Sequence, residues 1–195
     1  MWTTVGIDLA KGASTALVET TGVLTHIRVG LGWDPNSPGA QEFDLDASAI
    51  ALQDNGLAPN RGYFVYYNNL STPRGEIVHR GDSLTGEGRG DDEQIDVRLD
   101  LLSRAITRIV FPVTIHNAEY RRQSFGDVHN AYIRVVNTDT DAELVRYDLS
   151  SSAARDTSML FGDLLREGDG WHFRALGEGG VQDLTAIARS YGLDV

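Results

Sequence analysis

The chain has 195 residues, 41% of them hydrophobic and 23% charged, which suits one sizeable domain over residues 1–195 and rules out a disordered acidic tail. Its formal net charge of −11 removes any general attraction to nucleic-acid phosphates or anionic lipid and makes cations the natural partners. Cysteine is absent, so disulfides, thiolate zinc sites, cysteine nucleophiles and thiol redox chemistry are excluded. There is no basic and apolar leader at the N-terminus and no run long enough to span a bilayer, so a cytoplasmic location without a membrane span is expected.

Apolar residues recur with period two from end to end, the mark of strands with one buried face. Val5, Ile7 and Leu9 alternate with polar or small residues, as do Ile27, Val29 and Leu31. In "FDLDASAIAL" Phe43, Leu45, Ala47 and Ala49 share one face, while Asp44, Asp46 and Ser48 share the other. "GYFVYYNNL" is aromatic and β-branched and reads as a strand. "QIDVRLDLL" alternates Ile95, Val97, Leu99 and Leu101 with charges, and "RIVFPVTIH" puts Ile109, Phe111, Val113 and Ile115 on one face. Pro112 lies inside that run and removes a ladder donor, which predicts an edge strand or a bulge.

Farther on come "AYIRVVN", "ELVRYDL" and "SMLFGDLLREGDGWHFRAL", the last a hairpin turning at Gly168 to Gly170. Many short strands separated by turns predict a mainly β fold, a two-sheet β-sandwich with short helical segments and a C-terminal helix. "NAEYRRQSFGDV" reads as a short helix or irregular crossover opened by Asn117. In "VQDLTAIARSYGLDV", Leu184, Ile187, Ala188 and Tyr191 have helical spacing and Gly192 is placed to stop the helix.

The stretch "GDSLTGEGRGDDEQID", residues 81–96, carries Asp82, Glu87, Asp91, Asp92, Glu93 and Asp96 against Arg89 alone, a net −5 out of −11. Glycines at 81, 86, 88 and 90 suit a tightly folded backbone with carbonyls free to turn inward. Two further oxygen clusters, Asp44 with Asp46 and Asn68 with Asn69, lie on a strand face and at a strand end. Calcium takes six to eight such oxygens in adaptable geometry, whereas magnesium keeps its waters, so the inventory fits calcium. A solvated acidic loop is the plain alternative. An EF-hand is excluded because Glu87 stands where its loop needs glycine, and a phosphate loop is excluded because Glu87 stands where it needs lysine.

The segments "VGLGWD", "FDLDASAIAL", "NNL", "GDSLTGEGRGDDEQIDVRL", "IVFPVTIHNAEYRRQSFG", "NAYIRVVN", "RYDLS" and "GWHFRALGEGG" resemble, in order and over nearly the full length, the TerD family of tellurium-resistance and general stress proteins. The resemblance implies a cytoplasmic calcium-binding β-sandwich with two adjacent calcium sites in acidic loops and no established catalytic activity. It places the metal ligands on Asp44, Asp46, Asn68, Asn69, Asp82, Glu87, Asp91, Asp92 and Glu93. Arg89 departs from the family, which has an acid between those glycines; this bears on occupancy or affinity at one site. The guanidinium is expected to turn outward, since aiming it at a cation is repulsive.

The five histidines, at 26, 79, 116, 129 and 172, have no metal-ligand spacing and read as structural or surface residues, and no serine nucleophile elbow is present. The aromatics Trp33, Trp171, Tyr63, Phe64, Tyr66 and Tyr67 read as core and cross-strand pairs. Arg121, Arg122, Arg134 and Arg146 read as solvated surface charges rather than an anion pocket. The expectation is therefore a calcium-binding, non-enzymatic stress-response protein associated with tellurite resistance, a calcium-regulated interaction module whose partners are Ca²⁺ and other stress or tellurium-resistance proteins. The alternative is a Mg- or Mn-dependent phosphoesterase built on the same carboxylates.

Overall fold

The computed structural model describes residues 6–19, 22–37, 39–81, 90–149 and 155–195. Along these residues run β1 (Ile7–Asp8), β2 (Ser14–Leu17), β3 (His26–Gly32), β4 (Leu45–Ala47), β5 (Ala49–Gln53), β6 (Phe64–Val65) and β7 (Ile77–His79). They are followed by β8 (Glu93–Arg98), β9 (Ile106–Ile115), the one-turn helix α1 (Ala118–Arg121), β10 (Tyr132–Asn137), β11 (Ala142–Asp148), β12 (Ser158–Glu167), β13 (Gly170–Gly180) and helix α2 (Leu184–Ser190). One sheet has the order β1-β11-β10-β3-β8-β7 and the other β2-β13-β12-β9-β5-β6, with β4 added to β9. This is the two-sheet sandwich expected from the alternation.

The period-two faces meet between the sheets. Ile27, Val29 and Leu31 of β3 and Ile95 and Val97 of β8 share one cluster with Ile109, Phe111, Val113 and Ile115 of β9. Each such side chain removed from water stabilises the fold by roughly 1.5–3 kcal/mol. A second, smaller cluster lies on the far side of the second sheet, where Ile50, Leu52 and Val110 receive Ile187 and Ala188 of α2. Asp183 caps that helix by accepting the Ala186 N–H at 2.7 Å, and Gly192, at φ 81°, follows its last turn.

Pro112 sits in a central strand, between β12 and β5, and not at an edge. Two irregularities accommodate it. On one side β12 shifts register between Leu160 and Gly162 opposite it, the bulge that the sequence allowed for. On the other side the Ser48 N–H donates to the Pro112 carbonyl at 2.9 Å, but proline has no N–H to return, and the strand predicted over 43–52 divides there into β4 and β5.

The aromatic run behaves differently from its reading as one strand. Residues Arg61–Tyr63 form a 3₁₀ turn, β6 spans two residues, and Tyr66 and Asn69 exchange backbone hydrogen bonds across a tight turn. Asn117 does precede α1, but at φ 52° and with no side-chain cap, and Arg122, at φ 54°, ends the helix after one turn. Ile7 of β1 is 50% exposed, so the first alternating run buries no continuous face.

At the β12 bulge a methyl group on Gly162 would lie 2.4 Å from the Phe173 ring and 2.9 Å from the Arg174 carbonyl oxygen. Gly162→Ala is expected to destabilise the fold by about 1–3 kcal/mol, read as a lower urea midpoint at unchanged slope. Gly22→Ala, whose nearest contact would be 3.9 Å away, should shift the midpoint little.

Candidate metal centre

The site is built at one rim of the sandwich, where β7 ends, β8 begins and β4 lies opposite. Antiparallel pairing turns the N–H and C=O groups of Asp44, Asp46 and Ser48 toward β9, so those of Ala47 point the other way, where no strand follows. Side chains from the first sheet take the missing strand's place. The Ala47 N–H donates to Glu93 Oε2, and the Ala47 carbonyl meets His79 Nε2 at 3.2 Å. The Gly81 N–H donates to His79 Nδ1 at 3.3 Å, which assigns the ring proton to Nε2. Glu93 and His79 are each almost fully buried, 3.9 Å apart.

Asp44 and Asp46 lie on the outer face of the second sheet, on the side that β5 continues with Ile50 and Leu52. Both are 6% exposed. Arg121 approaches Asp44 at 3.3 Å and His116 approaches Asp46 at 3.6 Å. Asp46 also opens onto a polar cleft of about 540 Å³ lined by Tyr67, Thr114, His116, Glu119 and Asp183 among others. Tyr67 belongs to the Tyr66–Asn69 turn, so that turn borders the same cleft. Within it Asn69 Nδ2 donates to the Phe64 carbonyl at 2.6 Å and serves the turn itself, while Asn68 is exposed.

The three consecutive acids diverge. Asp91 lies on the outer face of the first sheet, where Arg134 holds it at 2.7 and 3.2 Å and the Tyr132 hydroxyl donates at 3.1 Å. Asp92 turns to the end of β3 and accepts the Trp33 N–H at 2.9 Å. Burial pushes the Asp92 carboxyl up from its usual value, the Trp33 hydrogen bond opposes this, and the negative charges of Asp91 and Asp34 add to it. Glu93 points into the sandwich, as described. Asp96, also counted in the acidic run, faces outward on β8 and is paired with Arg28 at 2.7 Å.

Asp82, Glu87 and Arg89 lie outside the described residues. Among the described residues no three His, Asp or Glu side chains come together to hold a metal. The donor chemistry, carboxylate and amide oxygen without thiolate, suits a hard cation. Asp44 and Asp46 supply two neighbouring carboxylates on one strand face, and Asp91, Asp92 and Glu93, like Asp44, are each engaged by protein donors. The phosphoesterase alternative finds no support in this arrangement. Composition gave no sign of the partners Arg121, Arg134 and His79, but the direction of Glu93 was readable, since it shares the parity of Ile95 and Val97, as His79 shares that of Ile77.

Among the described residues no helix is long and apolar enough to cross a membrane. A family model described as the TerD domain matches residues 5–191. The tellurium resistance protein TerD of Serratia marcescens is 44% identical over 188 residues, covering 96% of this chain and 98% of its own. General stress protein 16U of Bacillus subtilis (strain 168) is 44% identical over 190 residues, covering 97% of this chain and 98% of its own. A solved structure of a homologue of telluride resistance protein (TerD) from Streptomyces coelicolor A3(2) matches with a TM-score of 0.70 at 28% identity, covering 85% of this chain and 95% of that one. With a matching domain, matching sandwich and near-complete coverage of these relatives, the chain belongs to the TerD family of tellurium-resistance and general stress proteins.

Proposed function

We propose that this protein is a calcium-binding, non-enzymatic stress-response module, and that calcium regulates its contacts with other stress or tellurium-resistance proteins. The observation that carries the reading is the burial of two carboxylates side by side, Asp44 and Asp46, at the rim where an acidic segment leaves the first sheet. Withdrawing neighbouring carboxylates from water is costly unless positive charge compensates them. The Arg121 guanidinium lies 3.3 Å from Asp44, and the His116 ring lies 3.6 Å from Asp46. Asp92, whose carboxyl is pushed up first by burial and then by the charges of Asp91 and Asp34, is a further acid at this rim that a cation would favour in its ionised form.

In this reading Asp44 and Asp46 hold the ion together with Asp82 and Glu87. Bound calcium contributes positive charge and an oxygen-seeking coordination shell, and no redox or hydrolytic step is asked of it. The chain's own residues do the rest: β9 and Pro112 set the run of β4, and the Ala47 clamp holds β4 against the stems of the 82–89 segment. The names of the relatives, which speak of stress and tellurium resistance, support a protective role. With no thiol in the chain, that role cannot be thiolate reduction of tellurite by this protein.

Isothermal titration with CaCl₂ and thermal melts in CaCl₂ or EGTA test the proposal. Binding to the native state alone should add about 2.7 kcal/mol when free calcium exceeds its dissociation constant a hundredfold. The double substitution Asp44→Asn, Asp46→Asn should remove that gain, with the heat of titration. Superimposable wild-type melts and no heat would sink the reading, and turnover of p-nitrophenyl phosphate with Mg²⁺ or Mn²⁺ would favour an enzyme instead.

A pH prediction follows from Asp92. Its folded pKa lies above the unfolded one, so ionisation costs stability above the folded value, and that cost disappears below the unfolded value. In Asp92→Asn the Oδ1 atom still accepts the Trp33 N–H while the charge is gone. In EGTA at pH 7 the variant should melt above wild type, and the gap should close as pH falls toward the usual aspartate value of 3.8. A gap that stays constant with pH would show that charge is not its cause.

A further inference from the structure

We propose that Asp91 is a positioning residue that fixes the stem following the 82–89 segment to the outer face of the first sheet and gives no oxygen to the cation. The proposal rests on the calcium reading above and divides its acids by task. Both carboxylate oxygens are occupied: Oδ1 accepts from Arg134 Nε at 2.7 Å and from the Tyr132 hydroxyl at 3.1 Å, and Oδ2 accepts from Arg134 Nη2 at 3.2 Å. The side chain is 2% exposed. The seat is shaped for it, since a methyl group on Gly30 would fall 2.2 Å from the Asp91 carboxyl carbon. Glu143, 3.0 Å from Arg134 Nη1, holds the guanidinium from the other side.

Electrostatics keep this arrangement charged and closed to a metal. Burial works against the Arg134 charge, but the hydrogen bonds to Asp91 and Glu143 outweigh it and raise the pKa. Burial and the neighbouring Asp91 carboxylate push the Tyr132 phenol up to about 12, so it stays a donor. A calcium ion on Asp91 would have to displace or face a guanidinium already bound in a two-pronged pair. Position argues the same way. Asp44 and Asp46 occupy the outer face of the second sheet, and packed sheets stand about 10 Å apart. Oxygens around one calcium lie within about 2.6 Å of it, too short a reach to combine ligands from both outer faces.

The test compares Asp91→Asn, Arg134→Gln and the double variant, each melted in EGTA and in CaCl₂ and titrated with CaCl₂. A fastening role predicts that both single variants lose several degrees of melting temperature in EGTA, that the double variant loses less than their sum, and that the number of calcium ions bound stays that of the wild type. A ligand role predicts opposite signs: Asp91→Asn binds fewer calcium ions than the wild type, while Arg134→Gln, which frees the carboxylate, binds calcium more tightly. That pattern would overturn the proposal, as would an Asp91→Asn protein that melts like the wild type in EGTA. Arg134→Gln keeps every acid, so a failure of Asp91→Asn to fold leaves the question decidable. A wild type that binds no calcium defeats the calcium reading alone, because the EGTA melts report the fastening without the ion.

Discussion

The Ala47 peptide is the constraint on which the rim depends. Its N–H and C=O face away from β9 at an edge where backbone pairing stops, and a buried peptide left without partners costs about as much as a lost hydrogen bond at each group. Glu93 and His79 answer both groups with side chains from the opposite sheet, and hydrogen bonds to a charged acceptor are among the stronger ones, at about 1.5–3 kcal/mol. The arrangement needs His79 to carry its proton on Nε2. It thereby ties β4 to both stems of the acidic segment, β7 through His79 and β8 through Glu93. The segment that carries the two aspartates and the loop stems are held together by a polar contact between the sheets.

The preference for arginine over lysine takes on meaning here. Of 17 basic residues only Lys11 is a lysine, and the buried acids use the guanidinium's planar fork. Asp163, fully buried on β12, lies between Arg108 at 2.7 Å and Arg174 at 2.6 Å. Asp96 has Arg28, Asp91 has Arg134 and Asp44 has Arg121. A chain with net −11 thus places its few cations where carboxylates leave water and lets its exposed surface stay acidic. Of the arginines read from sequence as solvated charges, Arg121 and Arg134 are counter-ions within this network, while Arg146 pairs with the exposed Asp148 and lies over the Tyr132 ring.

Strand parity made most of the sandwich legible. The alternation at 27–31, 95–97 and 109–115 identified β3, β8 and β9 and their inward faces, and helical spacing with Gly192 identified α2. What stayed hidden depends on contacts between distant segments. The aromatic run 63–69 has strand composition, yet Tyr66 stacks on Phe64 with ring centres 4.3 Å apart and the chain turns back at Asn69. Pro112 announced a disturbance, but only the register shows that it falls on β12 and on Ser48. The acidic run misled in a particular way: its charge is visible, but direction decides function, and Asp91, Asp92 and Glu93 leave the backbone toward three different elements.

That divergence changes how much charge a cation has to offset. Of the six acids in residues 81–96, Arg134 takes Asp91, Arg28 takes Asp96, and the Ala47 and His79 groups engage Glu93. Asp82 and Glu87 lie outside the described residues, and Asp92, held only by the Trp33 N–H among these contacts, carries a pKa raised by burial and by the neighbouring charges of Asp91 and Asp34. An ion held by Asp44 and Asp46, as proposed, would sit on the outer face of the second sheet, beside the polar cleft onto which Asp46 opens. Calcium would then act on the charge and shape of that cleft without any need for a change in the core.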